Sequence, residues 1–400
     1  MERKRIIIVS HALELGGAER ALLGLLENFD TTKYEVDLFL MRHSGEMMNS
    51  IPNDIHLLPE IPQYACLAVP IIDVIKNLHL VTAFNRWRGK RAAIKRVTEL
   101  DLGDNDVAIE YSHKYTLNNM PKISDKKYDV AISFLTPHYF VANKVYAKKK
   151  IAWIHTDYSK VQVDRESQIH MWEPYDSIVS ISEQAAEEFK KIFPTLSSKV
   201  TTVENMLPMR YISELANAFS VSNEMPNDGR VKLLSIGRFC YAKNFDNIPD
   251  ICKRLLDKGI DCTWYIIGFG GDEELIKARI KEFGVQDNVL ILGKKANPYP
   301  YINACDLYVQ PSRYEGKCVS VVEAQLLHKP VIISDYATSS SQLNNSVDGM
   351  IVPINNEECA VALENIIKDE KLQLRLIENT KKYDYSNSSE IYKVYQLIED

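Results

Sequence analysis

The sequence predicts an α/β fold of two doubly wound parallel sheets, one following the other along 400 residues. Three features lead there. Short β-branched runs are apolar at consecutive positions, which is how strands read when helices cover both faces. Longer amphipathic stretches separate them, the βαβ pattern that winds a parallel sheet. After a polar, turn-rich stretch at Ser220–Gly229 the same pattern starts again.

In the first half the strands are Arg5–Ser10, Glu35–Leu40, Asp129–Phe134, Ile151–His155, Ser177–Ile181 and Val200–Val203, with helices at Ala18–Asn28 and Ser182–Phe193. In the second half the strands are Val231–Ile236, Cys262–Ile267, Val289–Leu292, Leu307–Gln310 and Pro330–Ser334, with helices at Asn247–Lys258 and Asp272–Phe283. Two Rossmann-like units in tandem would turn their strand C-termini, where ligands bind, toward a shared central cleft. Residues 1–210 form the expected first domain and 211–383 the second. Residues 384–400, with Ile391, Tyr392, Val394, Tyr395, Leu397 and Ile398, are expected to form a terminal helix.

Composition narrows the chemistry. Hydrophobic residues make up 46% and charged residues 26%, ordinary values for a globular chain, and a net charge of −6 argues against nucleic acid. The seven cysteines contain no Cys-x-x-Cys pair and are read as reduced thiols of a cytoplasmic protein, with a disulfide as the alternative. The charged N-terminus runs straight into a strand, and no apolar stretch reaches the length of a membrane span, so neither a signal peptide nor an integral segment is expected.

Four motifs carry chemistry. Gly16-Gly17-Ala18-Glu19 follows the first strand and opens a helix, a place where amides attract anions and where glycine pairs also serve plain turn geometry. Gly237-Arg238, with Lys243 close behind, places two cations after a strand, suited to a diphosphate or to simple exposure. Gly268-Phe269-Gly270-Gly271 follows another strand and resembles a dinucleotide turn, but no acidic residue in the expected place supports a nicotinamide cofactor. Most informative is Pro311–Ala324, where Glu315 sits before a helix, Glu323 inside it, and the amides of Gly316, Lys317, Cys318 and Val319 lie between. Such an arrangement can hold a sugar, a phosphate and ribose hydroxyls in turn. Two solvated glutamates would be the plain alternative. The only Asp-x-Asp, Asp104-Asn105-Asp106, lies in a polar run, and no metal is expected.

This Glu-x7-Glu element resembles that of the retaining GT-B-fold glycosyltransferases, family 4 in particular, and the capsular and exopolysaccharide members above all. The resemblance also takes in Gly16–Glu19, Trp153–Asp157, Gly237-Arg238 with Lys243, Gly268 with Gly270, and Gly349. It implies a metal-independent transferase without a cofactor. Its substrate would be a nucleotide-diphosphate sugar, a UDP-sugar first among them, giving a hexose or N-acetylhexosamine to a glycan or lipid-linked glycan. Arg238 and Lys243 would neutralise the leaving diphosphate, Glu323 would bind ribose, and Glu315 would lie beside the transferred sugar. His155 would reach the donor sugar, and Gly16 and Gly17 would let their loop close. The family's Glu-Gly-Phe-Gly is here Glu315-Gly316-Lys317-Cys318, which makes the donor pocket bulkier. The resemblance also implies that the terminal helix crosses back to the first domain. The competing readings are a nucleotide-sugar epimerase and a non-catalytic binding protein, with an oxidoreductase last.

One segment stands apart. Residues 76–96 carry Lys76, Arg86, Arg88, Lys90, Arg91, Lys95 and Arg96 among Leu78, Leu80, Val81, Phe84, Trp87 and Ile94, with no acidic residue. A basic amphipathic helix of this kind lies on an anionic membrane surface, here the inner face, or packs one stripe on its own domain.

Overall fold

The computed structural model describes residues 3–14, 16–103, 105, 107–156, 158, 161–315 and 318–400. The chain divides into two compact units. The first takes in the residues up to Pro208 together with Asn387–Asp400, and the second is Met209–Ser386.

Among the described residues, the first unit has strands β1 (Lys4–Ser10), β2 (Tyr34–Leu40), β3 (His56–Leu57), β4 (Lys127–Phe134), β5 (Tyr146–Ile154), β6 (Ser177–Ser180) and β7 (Val200–Thr202). They form one parallel sheet in the order β3-β2-β1-β4-β5-β6-β7. Five consecutive positions of β1, Ile6 to Ser10, are buried, the signature of a strand covered on both faces. Ile7, Val9, Phe39, Tyr64, Phe140 and Trp172 share one core.

The second unit has β8 (Val231–Ile236), β9 (Cys262–Ile267), β10 (Val289–Gly293), β11 (Leu307–Gln310), β12 (Val331–Ser334) and β13 (Met350–Val352), parallel in the order β10-β9-β8-β11-β12-β13. Leu233, Phe239, Trp264, Ile266, Val309 and Leu363 pack its core. Both units are Rossmann-like. In each, the chain lays strands to one side of a central strand and then returns to its other side. That reversal falls between β1 and β4, and again between β8 and β11. The loops leaving the C-termini of such a strand pair diverge to opposite faces and leave room for a ligand.

Some boundaries differ from the sequence reading. β5 begins five residues earlier, at Tyr146, because its charged N-terminal half alternates exposed and half-buried positions while its last four residues are buried. The two-residue β3 and the three-residue β13 carry too little pattern to be read. The seven cysteines are free thiols, six of them buried.

The helix Ile391–Glu399 packs against the first unit. Tyr395 stacks on Tyr34 at 4.9 Å, donates its hydroxyl to the Asn28 carbonyl at 3.0 Å and accepts from the Asp30 amide at 2.7 Å. Glu399 takes an ion pair from Lys4 at 2.6 Å and a hydrogen bond from the Tyr34 hydroxyl. These contacts fasten the chain's last turns to β1, β2 and the end of the helix Gly17–Glu27. Tyr395→Ala removes the stacked ring and both hydrogen bonds. We expect it to destabilise the first unit by about 2–4 kcal/mol, read as a lower urea midpoint and faster hydrogen exchange in β1 and β2.

Candidate active site in the second unit

The loops after β8 and β11 are stapled together. Asn244, in the left-handed region at φ 60°, donates its side-chain amide to the Pro311 carbonyl at 2.8 Å. Arg313 makes a two-pronged bond to Asp246, at 2.9 and 2.7 Å, and its own amide donates to the Ala242 carbonyl. Its guanidinium lies 4.2 Å from the centre of the Tyr241 ring. The planar fork of arginine suits this bidentate contact in a way lysine would not.

Held by these staples, Lys243 and Glu315 meet at 2.5 Å, both largely buried. Ser312 donates to the same carboxylate oxygen at 2.6 Å, and the Glu315 carbonyl accepts from Thr338 at 2.7 Å. Burial disfavours charge on Lys243, but the Cys318 sulfur, 3.6 Å away, and the Glu315 carboxylate outweigh it and raise its pKa. Burial also pushes the Cys318 thiol up.

Gly237 sits against this pair, with its missing Cβ 3.1 Å from the Lys243 side chain. Gly268 has φ 154°, and a Cβ there would stand 1.9 Å from the Gly237 carbonyl oxygen. Gly270, at φ 155°, is equally tight against Phe239. The glycines after β9 are therefore required for close approach to the loop after β8. Arg238, next to Gly237, is exposed and has no ion pair among the described residues.

Glu323 lies in the helix Val319–Leu326, buried, and accepts from the Tyr299 hydroxyl at 2.9 Å. The amides before that helix are not all open. Cys318 donates its own to the Gln342 side chain at 2.7 Å. Val319 and Ser320 are the first two residues of that helix. Val319 exposes its side chain, so its contribution is its backbone. Gly316 and Lys317 lie outside the described residues, as do Asp104, Asp106 and Asp157.

The structure thus brings together Gly237, Lys243, Glu315, Cys318 and Gly268, and adds Ser312, Tyr299, Asp246 and Gln342. Ser312 lay inside the informative motif, but Tyr299 and Asp246 carry no local signal. Gly16, Gly17 and His155 belong to the first unit. A Cβ at Gly17 would meet nothing within 4 Å, and one at Gly16 only the flexible Glu19 side chain, so the fold itself does not demand glycine at either.

Residues 217–383 match the family model of Glycosyl transferases group 1. The match covers nearly the whole second unit. Among curated relatives, the alpha-D-kanosaminyltransferase of Streptomyces kanamyceticus is 27% identical over 38% of this chain and 40% of its own length. The N-acetylgalactosamine-N,N'-diacetylbacillosaminyl-diphospho-undecaprenol 4-alpha-N-acetylgalactosaminyltransferase of Campylobacter jejuni is 28% identical over 35% of this chain and 38% of its own. The chain spans less than two thirds of the length of either relative. The structure of a mutant of S. aureus TarM, in complex with fondaparinux, alpha-GlcNAc-glycerol and UDP, superposes with a TM-score of 0.60 at 13% identity, covering 99% of this chain and 100% of that one. The two parallel-sheet units share the GT-B architecture of that solved structure.

His155 follows β5, its ring 4.5 Å from that of Phe134. Burial lowers its pKa to about 4, that of His113 to about 4 and that of His138 to about 3. All three are neutral in the fold at pH 7. Once unfolded they take up protons near pH 6.5. The unfolded state therefore binds more protons between pH 6.5 and about 4, and stability falls as pH drops through that window. The slope is at most about 4 kcal/mol per pH unit for three such groups. Burial raises the pKa of Glu110, which opposes this trend by about one proton. Urea unfolding from pH 7 to 4, followed by tryptophan fluorescence, should show the loss beginning near pH 6.5. Replacing His138 with Gln should shrink the slope by about one proton.

Proposed function

We propose that the protein is a retaining, metal-independent glycosyltransferase of the family 4 type. It would move a hexose or N-acetylhexosamine from a nucleotide-diphosphate sugar, a UDP-sugar first, to a glycan or lipid-linked glycan in cell-surface polysaccharide synthesis. The observation that carries this reading is the buried Lys243–Glu315 pair beside Gly237 and ahead of the helix that holds Glu323. A diphosphate arriving on Lys243 and Arg238 would give the lysine a second anion. Glu315 would then be released to the hydroxyls of the transferred sugar. Glu323, whose carboxylate accepts from the Tyr299 hydroxyl, would accept from ribose as well. Transition-state charge builds on the departing diphosphate, so fixed cations and helix amides are the chemistry required. No cofactor enters this scheme, and the donor is a substrate. UDP in the TarM complex supports uridine as the nucleotide.

A second observation favours a membrane surface as partner. Ile72, Ile75, Leu78, Leu80, Val81, Phe84 and Trp87 are all exposed, and Leu78 is 82% exposed in the left-handed region at φ 62°. Arg88, Lys90, Arg91 and Lys95 stand exposed on the helix Leu80–Glu99 among them. Arg86 and Arg96 do not join this surface. Arg86 donates to the Cys66 and Val69 carbonyls, and Arg96 pairs with Asp164. Among the described residues no helix is long and apolar enough to cross a membrane, so the contact would be peripheral, on the inner face.

Calorimetry with a panel of nucleoside diphosphates tests the donor assignment. UDP should bind wild type, and Glu323→Ala should weaken it about 10- to 100-fold. If no nucleotide binds, the non-catalytic reading takes its place. For the membrane, Phe84→Glu with Trp87→Glu should abolish co-sedimentation with vesicles containing phosphatidylglycerol. Undiminished sedimentation would remove that surface from the account.

A further inference from the structure

One face of β11 is polar where a strand covered on both sides should be apolar. Tyr308 and Gln310 alternate with Leu307 and Val309, and Ser312 continues their row past the end of the strand. Tyr308, Gln310 and Ser312 are each 0% exposed. Leu307 and Val309 pack in the core of the unit. The opposite row buries a phenol, an amide and a hydroxyl, and each is costly to bury unless it is hydrogen-bonded.

Their bonds form a closed circuit with the Lys243–Glu315 pair. Ser312 gives its one proton to Glu315 at 2.6 Å. It must therefore accept from Gln310, which presents its amide nitrogen at 3.0 Å. The Gln310 carbonyl then faces Tyr308 and takes its one phenolic proton at 3.0 Å. Tyr308 has no second proton, so Ser320 is the donor across their 2.8 Å contact. The Ile236 carbonyl, 3.3 Å from Ser320, is the weaker acceptor. Ser320 lies 3.3 Å from the Cys318 sulfur, and Lys243 donates to that sulfur at 3.6 Å. Lys243 closes the circuit on Glu315. With Cys318 as a thiol, every proton on this path points the same way, from the ammonium to the carboxylate. Bonds that run head to tail from a cation to an anion polarise one another.

We infer that Tyr308, Gln310 and Ser320 are positioning residues. Acting through Ser312 and Cys318, they hold Lys243 and Glu315 in place while the pair opens for a diphosphate, an inference that rests on the donor reading of that pair.

Each member of the pair has an attachment that survives the exchange. A lysine that turns to a diphosphate is still held by Cys318, and a released Glu315 is still held by Ser312. Both of those bonds involve the same Glu315 oxygen or the lysine nitrogen, and among the described residues nothing donates to the second Glu315 oxygen. Phenylalanine at 308 and leucine at 310 would fill the same space with no polar atom to satisfy. They could not fix the Ser312 proton on Glu315. Tyr308 and Gln310 are fully buried, so they act through the pair and not on a ligand.

The test uses the full-length protein and Tyr308→Phe, which removes one oxygen and keeps the ring. Ser320→Ala is a second break, and Ser320→Thr restores the hydroxyl. Cys359→Ala, a buried lesion elsewhere in the unit, is the control. Two quantities are read well below each melting temperature. One is UDP affinity by calorimetry. The other is the rate at which acetic anhydride labels Lys243 in the free protein, followed by mass spectrometry. Tyr308→Phe and Ser320→Ala should each weaken UDP about tenfold, the loss of one buried hydrogen bond, and speed the labelling by a similar factor. Ser320→Thr should recover most of both. Cys359→Ala should lower the melting temperature and change neither. Wild-type UDP affinity in both breaks, with only the melting temperature lowered, would overturn the inference. So would equal losses in Ser320→Ala and Ser320→Thr. Unchanged labelling in both breaks removes the circuit whether or not UDP binds, and with UDP bound it leaves the donor reading intact. If wild type binds no UDP, faster labelling in the breaks keeps the circuit and removes the donor reading.

Discussion

The second unit is organised around one buried ion pair. Lys243 and Glu315 are 72 residues apart, on loops that leave neighbouring strands, and they meet at 2.5 Å. Desolvating two charges costs about what their attraction returns, so such a pair is a poor source of stability. Here its surroundings offset that cost: Ser312 shares the carboxylate, Thr338 holds the Glu315 backbone, and Arg313 with Asp246 fixes the two loops. A fold that only needed to close these loops could do so with Arg313–Asp246 and Asn244. Under the proposed function the extra pair holds Lys243 in place until a diphosphate takes over as its anion.

The location of that pair follows from topology. A parallel sheet must be covered on both faces, and right-handed crossovers keep its helices on one face until the strand order reverses. At β8 and β11 the loops part, and the tight glycines at 268 and 270 let the loop after β9 press against Gly237 and Phe239. The same reversal at β1 and β4 places Leu135 and Thr136 at a crevice in the first unit, with His155 one strand further along. Both crevices thus stand where backbone geometry leaves a gap that side chains alone could not open.

Much of this was legible in the sequence. Central strands such as Ile6–Val9 and Cys262–Ile267 announce themselves because burial on both faces demands unbroken apolar runs. Glu315, Lys243, Gly237 and Gly268 were found because each sits at a strand end with chemistry of its own. What escaped was long-range. Tyr299 reaches Glu323, and Gln342 reaches the Cys318 amide, through packing of distant segments. Arg86 and Arg96 read as part of a basic face, yet one saturates carbonyls of a preceding turn and the other an aspartate 68 residues on. A charge pattern records which residues are ionic. It does not record which of them already have partners.

The two units divide the electrostatic labour. In the second, cations and carboxylates gather at strand ends, an environment for a ligand that carries and sheds negative charge. In the first, three histidines are kept neutral by burial and a glutamate is pushed toward its acid form. The two environments follow from different physics. In the second unit opposite charges are paired at short range and hydrogen-bonded by their neighbours, whereas in the first unit burial alone decides which groups stay neutral.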